Sequence, residues 1–188
     1  MSTLIVFAME EESRGLFTAH DVLHTGIGKV NAAYALTQRL HRDLAAQPPA
    51  LVVNLGTAGS RKHKAGTIVN CTSFVQRDMN VTVLGFEKWQ TPFSKDPIML
   101  RTGRRIESLP EGLCGTGDSF DDGPDSGHFD VVDMEAYALA LICRREDIPF
   151  LCLKYISDGA DSNANQDWND ALHKAAETLK RTLEEAGL

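Results

Sequence analysis

The chain has 188 residues, of which 43% are hydrophobic and 24% charged, a balance that suits one folded domain with a substantial core. Its net charge of −7 argues against a nucleic-acid or anionic-membrane surface, and its one basic cluster, Arg61-Lys62-His63-Lys64, is short. No stretch approaches the roughly 20 apolar residues of a membrane span, and the N-terminus lacks the basic-then-apolar pattern of a secretory signal.

In chain order, LIVFA (4–8) reads as a buried strand and runs directly into AMEEES. A helix is predicted from Lys29 to Ala46, with Val30, Ala33, Leu40 and Leu44 on its apolar face. Pro48-Pro49 stops it. ALVVNLG (50–56) and GTIVNCTSFV (66–75) read as further strands. The stretch 77–129 is less regular and rich in Gly, Pro and Asp, and is expected to supply loops. FDVVDMEA turns from strand into helix, with Met134, Ala138, Leu141 and Ile142 on an apolar face. Pro149 ends that unit, and FLCLKYIS (150–157) is another strand. The last helix, predicted from Asp167 to Ala186, carries the stripe Trp168, Ala171, Leu172, Ala175, Leu179 and Leu183.

This alternation predicts an α/β fold with a mostly parallel or mixed central sheet flanked by helices. No repeat, low-complexity segment or linker divides it, so residues 1–188 read as a single domain. Cys71, Cys114, Cys143 and Cys152 form no C-x-x-C pair, which suits a reduced, cytoplasmic protein. The six histidines show no ligand spacing, and no metal is expected.

In α/β sheets ligands bind beyond the carboxyl ends of the strands. Four polar stretches fall at such ends: AMEEES, NLGTAGS (54–60), VDMEA (132–136) and SDGAD (157–161). Each has an ordinary reading as well as a functional one. The three glutamates are either solvated surface or a carboxylate site. Glu135, placed in the first turn of a helix, either stabilises the helix dipole or accepts hydrogen bonds from paired hydroxyls. Asp158 is either a turn aspartate or a chemical group. GIGKV (26–30) is neither a P-loop nor a dinucleotide fingerprint, since Val follows the lysine and Asn31 stands where the fingerprint needs glycine.

Taken together, AMEEES, TGIGKVNAA, NLGTAGS, VDMEA and SDGAD resemble, in order and approximate spacing, the 5′-methylthioadenosine/S-adenosylhomocysteine nucleosidases of the purine nucleoside phosphorylase-like superfamily. RDMNVTVLGFE (77–87) and GDSF (117–120) resemble that family's intervening stretches. The chain is shorter than typical members, and the missing length falls between Glu12 and Gly26 and before GDSF.

The resemblance implies a nucleoside phosphorylase-like fold and hydrolysis of a purine nucleoside, with no cofactor. It implies Glu12 as the carboxylate that activates water and Asp158 as the acid that protonates the departing purine, oriented by Ser157. Glu135 would hold the ribose hydroxyls, with Met134 beside it. Thr57 would lie near the water and sugar, Met9 and Ile27 near the sugar and its 5′ substituent, Phe120 on the adenine, and Trp168 over the site. Trp168 has an equal claim to the helix core. Asp121 departs from the family's apolar residue at the base edge. The resemblance also implies a homodimer in which Val81, Leu84 and Pro92 help close the partner's pocket. Three alternatives stand beside it: a phosphorylase using Arg14, Arg61 or Lys62 on phosphate, a hydrolase of a futalosine-type nucleoside, and a non-catalytic nucleoside-binding module, which would keep Glu135 and the purine pocket but has no need for Glu12 and Asp158 together.

Overall fold

The apolar runs become strands buried on both faces, as a sheet covered on both sides requires. β1 (Thr3–Phe7) pairs in parallel with β3 (Leu51–Gly59), from Thr3 opposite Leu51 to Val6 opposite Asn54. On the other side of β3 lies β8 (Phe150–Asp158), also parallel, and β4 (Ile68–Gln76) pairs antiparallel to β8. β6 (Glu111–Thr116) runs parallel to β4 and β7 (Val131–Asp133) parallel to β6. β7 then meets β3 again through an antiparallel bridge, Gly59 opposite Val132, so the sheet curls back on itself. Two short strands complete the mixed sheet: β2 (Asp21–His24) beside β1 and β5 (Met99–Arg101) beside β4. The computed structural model describes residues 2–42, 47–119, 127–158 and 164–188, with the backbone alone for residues 158 and 164–170.

Helices cover both faces. α2 (Lys29–His41) and α3 (Ala136–Arg145) share one core with Leu4, Val6, Val52, Val69, Phe74 and Phe150. α4 (Ala164–Glu185) covers the other, where Ala175, Leu179 and Leu183 meet Ile5, Phe7, Val53 and Leu153. α1 (Glu10–Ser13) is a single turn after β1, and a 3-10 turn spans Thr82–Leu84. No described helix is long and apolar enough to cross a membrane.

Several expectations need correction. β3 does not end at Gly56 but continues through the glycine-rich stretch to Gly59. The irregular stretch holds β5 and β6 as well as loops. β6 is EGLCGT, whose glycines hide it: a Cβ on Gly115 would stand 2.5 Å from the Phe129 ring, and one on Gly112 2.7 Å from Val69. Packing, not turn chemistry, demands glycine there. α2 buries Ala32 and Leu36, whereas Val30 is 78% exposed; Ala33 and Leu40 are half-buried against the core. The described helix ends at His41, and Leu44 lies outside the described residues. α3 buries a broader face than predicted, from Ala136 to Ala140 together with Cys143, because α2 and the sheet both pack on it. α4 begins at Ala164, before Asp167.

Candidate active site

β1 delivers the chain to its carboxyl edge, where Met9 serves as N-cap of the α1 turn and Arg14, at φ 48°, closes it with its N–H on the Glu10 carbonyl. One turn separates the three glutamates. Glu10 and Glu11 are exposed, while Glu12 is 5% exposed and points inward. Its Oε1 accepts the Thr57 N–H at 2.9 Å and the Thr57 hydroxyl at 3.0 Å, and its Oε2 accepts the Ala8 N–H at 3.2 Å. The carboxylate lies over Gly56, where an added Cβ would stand 3.0 Å from Oε1. A carboxylate taken out of bulk water needs such donors.

Glu135 stands at the N-cap of α3, one residue ahead of the predicted first turn. Its side chain makes no cap hydrogen bond. Asp133 supplies that bond instead, its Oδ2 accepting the Ala136 N–H at 2.9 Å. Glu135 is thereby left to face the Gly26–Gly28 turn, and its Oε1 accepts the Gly28 N–H at 2.9 Å. Gly28 has φ 93°, a conformation that favours glycine. Glu135 is 7% exposed. Burial first, then the Asp133 carboxylate, push its carboxyl up to about 7, against the pull of Lys154 and the Gly28 N–H; Glu12 adds a smaller repulsion.

Behind Glu135 is a buried ion pair that sequence reasoning missed. Lys154 Nζ stands 2.8 Å from Asp133 Oδ2, the two side chains 2% and 1% exposed. Asp133 Oδ1 also accepts from the Thr116 hydroxyl at 2.6 Å and from the Cys114 thiol at 3.3 Å. Burial alone would raise the Asp133 carboxyl, but Lys154, together with the Thr116 and Ala136 hydrogen bonds, outweighs it and holds it below the usual carboxylate range. Burial alone would lower the Lys154 ammonium, and Asp133 holds it well above its ordinary value. The available signal was a lysine inside the apolar run FLCLKYIS, which must find a partner when the strand is buried.

The other expected residues lie as follows. Thr57 is half-buried against Glu12. Ser157 is buried, its hydroxyl donating to the Ala58 carbonyl at 3.3 Å. Met9 and Met134 are half-buried, and Ile27 is 48% exposed. Asp158 ends β8 with its backbone opposite Gly59. The side chains of Asp158 and Trp168, and all of Phe120 and Asp121, lie outside the described residues. Leu84 is exposed, and Val81 and Pro92 are half-buried. Among the phosphate candidates, Lys62 is paired with Asp130 at 2.8 Å, and Arg14 and Arg61 are exposed.

Lys29 and Arg77 tie the loops around the site, Arg77 donating to the Gly117 carbonyl and to Ser119. Lys29 pairs with Asp78 and, at 3.1 Å, with Asp118, while its own N–H donates to Asp118 Oδ1 at 2.8 Å. These contacts join α2 to the loops after β4 and β6. Glu12, Thr57, Glu135 and the Gly26–Gly28 turn therefore converge at one edge, where β1, β3 and β7 end.

The family model described as the phosphorylase superfamily matches residues 21–186. A curated 5′-methylthioadenosine/S-adenosylhomocysteine nucleosidase from Bacillus cytotoxicus is 32% identical over 189 aligned positions, which cover 88% of this chain and 80% of the relative. The chain belongs to this nucleosidase family of the phosphorylase superfamily. Among solved structures, the family's nucleosidase from Neisseria meningitidis, in complex with methylthio-immucillin-A, superposes with a TM-score of 0.78 at 26% identity, covering 94% of each chain. A futalosine hydrolase of Helicobacter pylori superposes at 0.83 with 22% identity, covering 98% of each, and shares the fold.

Proposed function

We propose that this nucleosidase-family chain hydrolyses the N-glycosidic bond of 5′-methylthioadenosine and S-adenosylhomocysteine and releases adenine. The observation that carries the reading is the buried Glu12 carboxylate, held by Thr57 and Ala8, with the buried Glu135 carboxylate nearby on the Gly28 N–H. As the purine leaves, the sugar gains positive charge at its anomeric carbon. Water is a sufficient nucleophile toward such a carbon when a base takes its proton, and Glu12 is that base. Glu135 accepts the ribose hydroxyls and its charge steadies the cation-like sugar. Asp158 protonates the departing adenine, with Ser157 beside it in the chain. Met9, Thr57, Met134 and Ile27 line the sugar and its 5′ substituent, and Phe120 and Trp168 cover the base.

The test is a panel of adenine and hypoxanthine nucleosides scored by released base. Adenine from 5′-methylthioadenosine and S-adenosylhomocysteine is expected. Hypoxanthine release in preference to adenine would reject the assignment and favour a futalosine-type substrate. No released base from any member would leave a binding module in place of an enzyme.

Glu135 brings a pH dependence whose sign follows from its surroundings. With a carboxyl near 7, the free enzyme holds a proton on Glu135 over much of the range below neutrality. Ribose hydroxyls donate to the carboxylate and favour its charged form. Binding of a non-hydrolysable 5′-methylthioadenosine analogue at about pH 6.5 is therefore expected to release a proton, and KM to rise as pH falls through about 7. Calorimetry in buffers of different ionisation enthalpy counts that proton. A count of zero would remove Glu135 from the sugar contact.

We place the protein in the cytoplasm, in keeping with its four free thiols. We also take it to act as a single-domain homodimer in which Val81, Leu84 and Pro92 approach the partner's pocket. Exposed Val83, Leu84 and Phe93 on one segment, and Ile27, Val30 and Tyr34 on the segment tied to it by Lys29 and Asp78, support an apolar interface. A fully active monomer at nanomolar concentration would contradict it.

A further inference from the structure

The segment that carries Glu12 is one helical turn, and a single turn holds its shape poorly alone. A polar tie at its carboxyl end fixes it. Ser13 is 4% exposed; its hydroxyl donates to the Glu10 carbonyl at 3.0 Å and stands 3.0 Å from His24 Nε2. With the hydroxyl hydrogen spent on Glu10, Ser13 Oγ accepts and His24 Nε2–H donates. His24 is the last residue of β2, opposite Phe7 at the end of β1, and its ring stacks on Phe7 with centroids 6.2 Å apart.

From His24 the chain stays in contact with the same edge. The Thr25 N–H donates to the Phe7 carbonyl at 3.0 Å and the Gly26 N–H to the Ala8 carbonyl at 2.9 Å. The Gly28 N–H then reaches Glu135. Residues 24–28 thus touch the α1 turn at one end and Glu135 at the other. Their length and footing set the spacing between the two carboxylates.

We propose that Ser13 and His24 are positioning residues: their hydrogen bond docks the α1 turn onto the 24–28 segment and so aims the Glu12 carboxylate at Thr57. The catalytic consequence rests on the role given to Glu12 above; the mechanical one does not. Ser13→Ala removes one buried oxygen, His24→Leu removes the donor, and His24→Gln keeps an N–H able to reach Ser13.

Two readouts test this. The first is amide exchange at Thr57, whose N–H is bound by Glu12 and needs no substrate. It is expected to speed up in Ser13→Ala and His24→Leu, by about the same factor in the double variant, and to stay near wild type in His24→Gln. The second is kcat on 5′-methylthioadenosine, expected to fall about 10- to 100-fold in the same variants with KM changed little, since a displacement near 1 Å has effects of that size. Unchanged Thr57 exchange in both single variants overturns the proposal whatever the substrate proves to be. Additive losses in the double variant overturn it as well, because one bond cannot be lost twice. A wild-type rate in Glu12→Gln refutes the base role alone, and the exchange result still decides the Ser13–His24 tie.

Discussion

Glu12→Gln is expected to lower kcat by roughly 100- to 10,000-fold, the range that a positioned acid or base contributes. The amide keeps the shape and can still accept the Thr57 N–H and hydroxyl that hold Oε1 at 2.9 and 3.0 Å. What it loses is the Ala8 N–H bond to the other oxygen, since an amide nitrogen cannot accept it, and basicity toward water. Binding of purine nucleosides is expected to survive, because Glu135 and its Gly28 contact are untouched. The same residue decides between water and phosphate. A phosphorylase must gather cations and donors around a dianion. Here a carboxylate fills the corner between β1 and β3, and Lys62 is engaged by Asp130. Turnover in phosphate-free buffer should therefore match turnover with phosphate added, with free 5-substituted ribose as product in both. A sugar 1-phosphate formed only with phosphate present would overturn the hydrolytic reading. So would a Glu12→Gln variant that keeps the wild-type rate.

What the sequence makes legible follows from how far apart the cooperating residues lie. Apolar runs such as LIVFA and ALVVNLG announce strands because burial on both faces leaves them no polar alternation. β6 stays hidden because Gly112 and Gly115 serve the side chains of Val69 and Phe129, and a glycine required by packing is indistinguishable in sequence from one required by a turn. The site divides in the same way. Glu12 and Glu135 stand out as carboxylates directly after apolar runs, and their neighbouring motifs keep a family's order. Which of the three glutamates turns inward is settled by a single turn of helix and the absence of a side chain at Gly56. Asp133 could not be told from Glu135 by position: both precede α3, and only the backbone angle at the N-cap assigns the capping bond to one and frees the other. Lys154 and His24 find partners on other elements, through distances that no local pattern encodes.

Lys154→Met is expected to cost about 3–5 kcal/mol, the usual loss when one member of a buried ion pair is removed and the other is left behind. That is a large share of the roughly 5–15 kcal/mol that holds a domain of this kind together. The abandoned group is Asp133, 1% exposed at its side chain, still bound by Thr116 and the Ala136 N–H but without a counter-charge. The sign with pH is fixed by the same pair. In the wild type Lys154 holds the Asp133 carboxyl below its ordinary value, so the pair's stabilisation is present above the unfolded carboxylate range and is lost only as pH falls through the depressed value. In Lys154→Met burial, the largest influence on the group, is opposed only by the Thr116 and Ala136 hydrogen bonds, and the carboxyl is expected to rise above its unfolded value. The deficit of the variant is then smallest in acid, where Asp133 is protonated in both states, and grows as pH rises. Denaturant midpoints at about pH 5 and about pH 8 should therefore diverge further between variant and wild type at the higher pH. Adding Asp133→Asn should recover much of the loss, since the amide oxygen can still cap Ala136 while position 133 no longer carries an unbalanced charge. A deficit that does not change with pH, or a double variant no more stable than Lys154→Met, would mean that the lysine acts by filling space and not by balancing the charge behind Glu135.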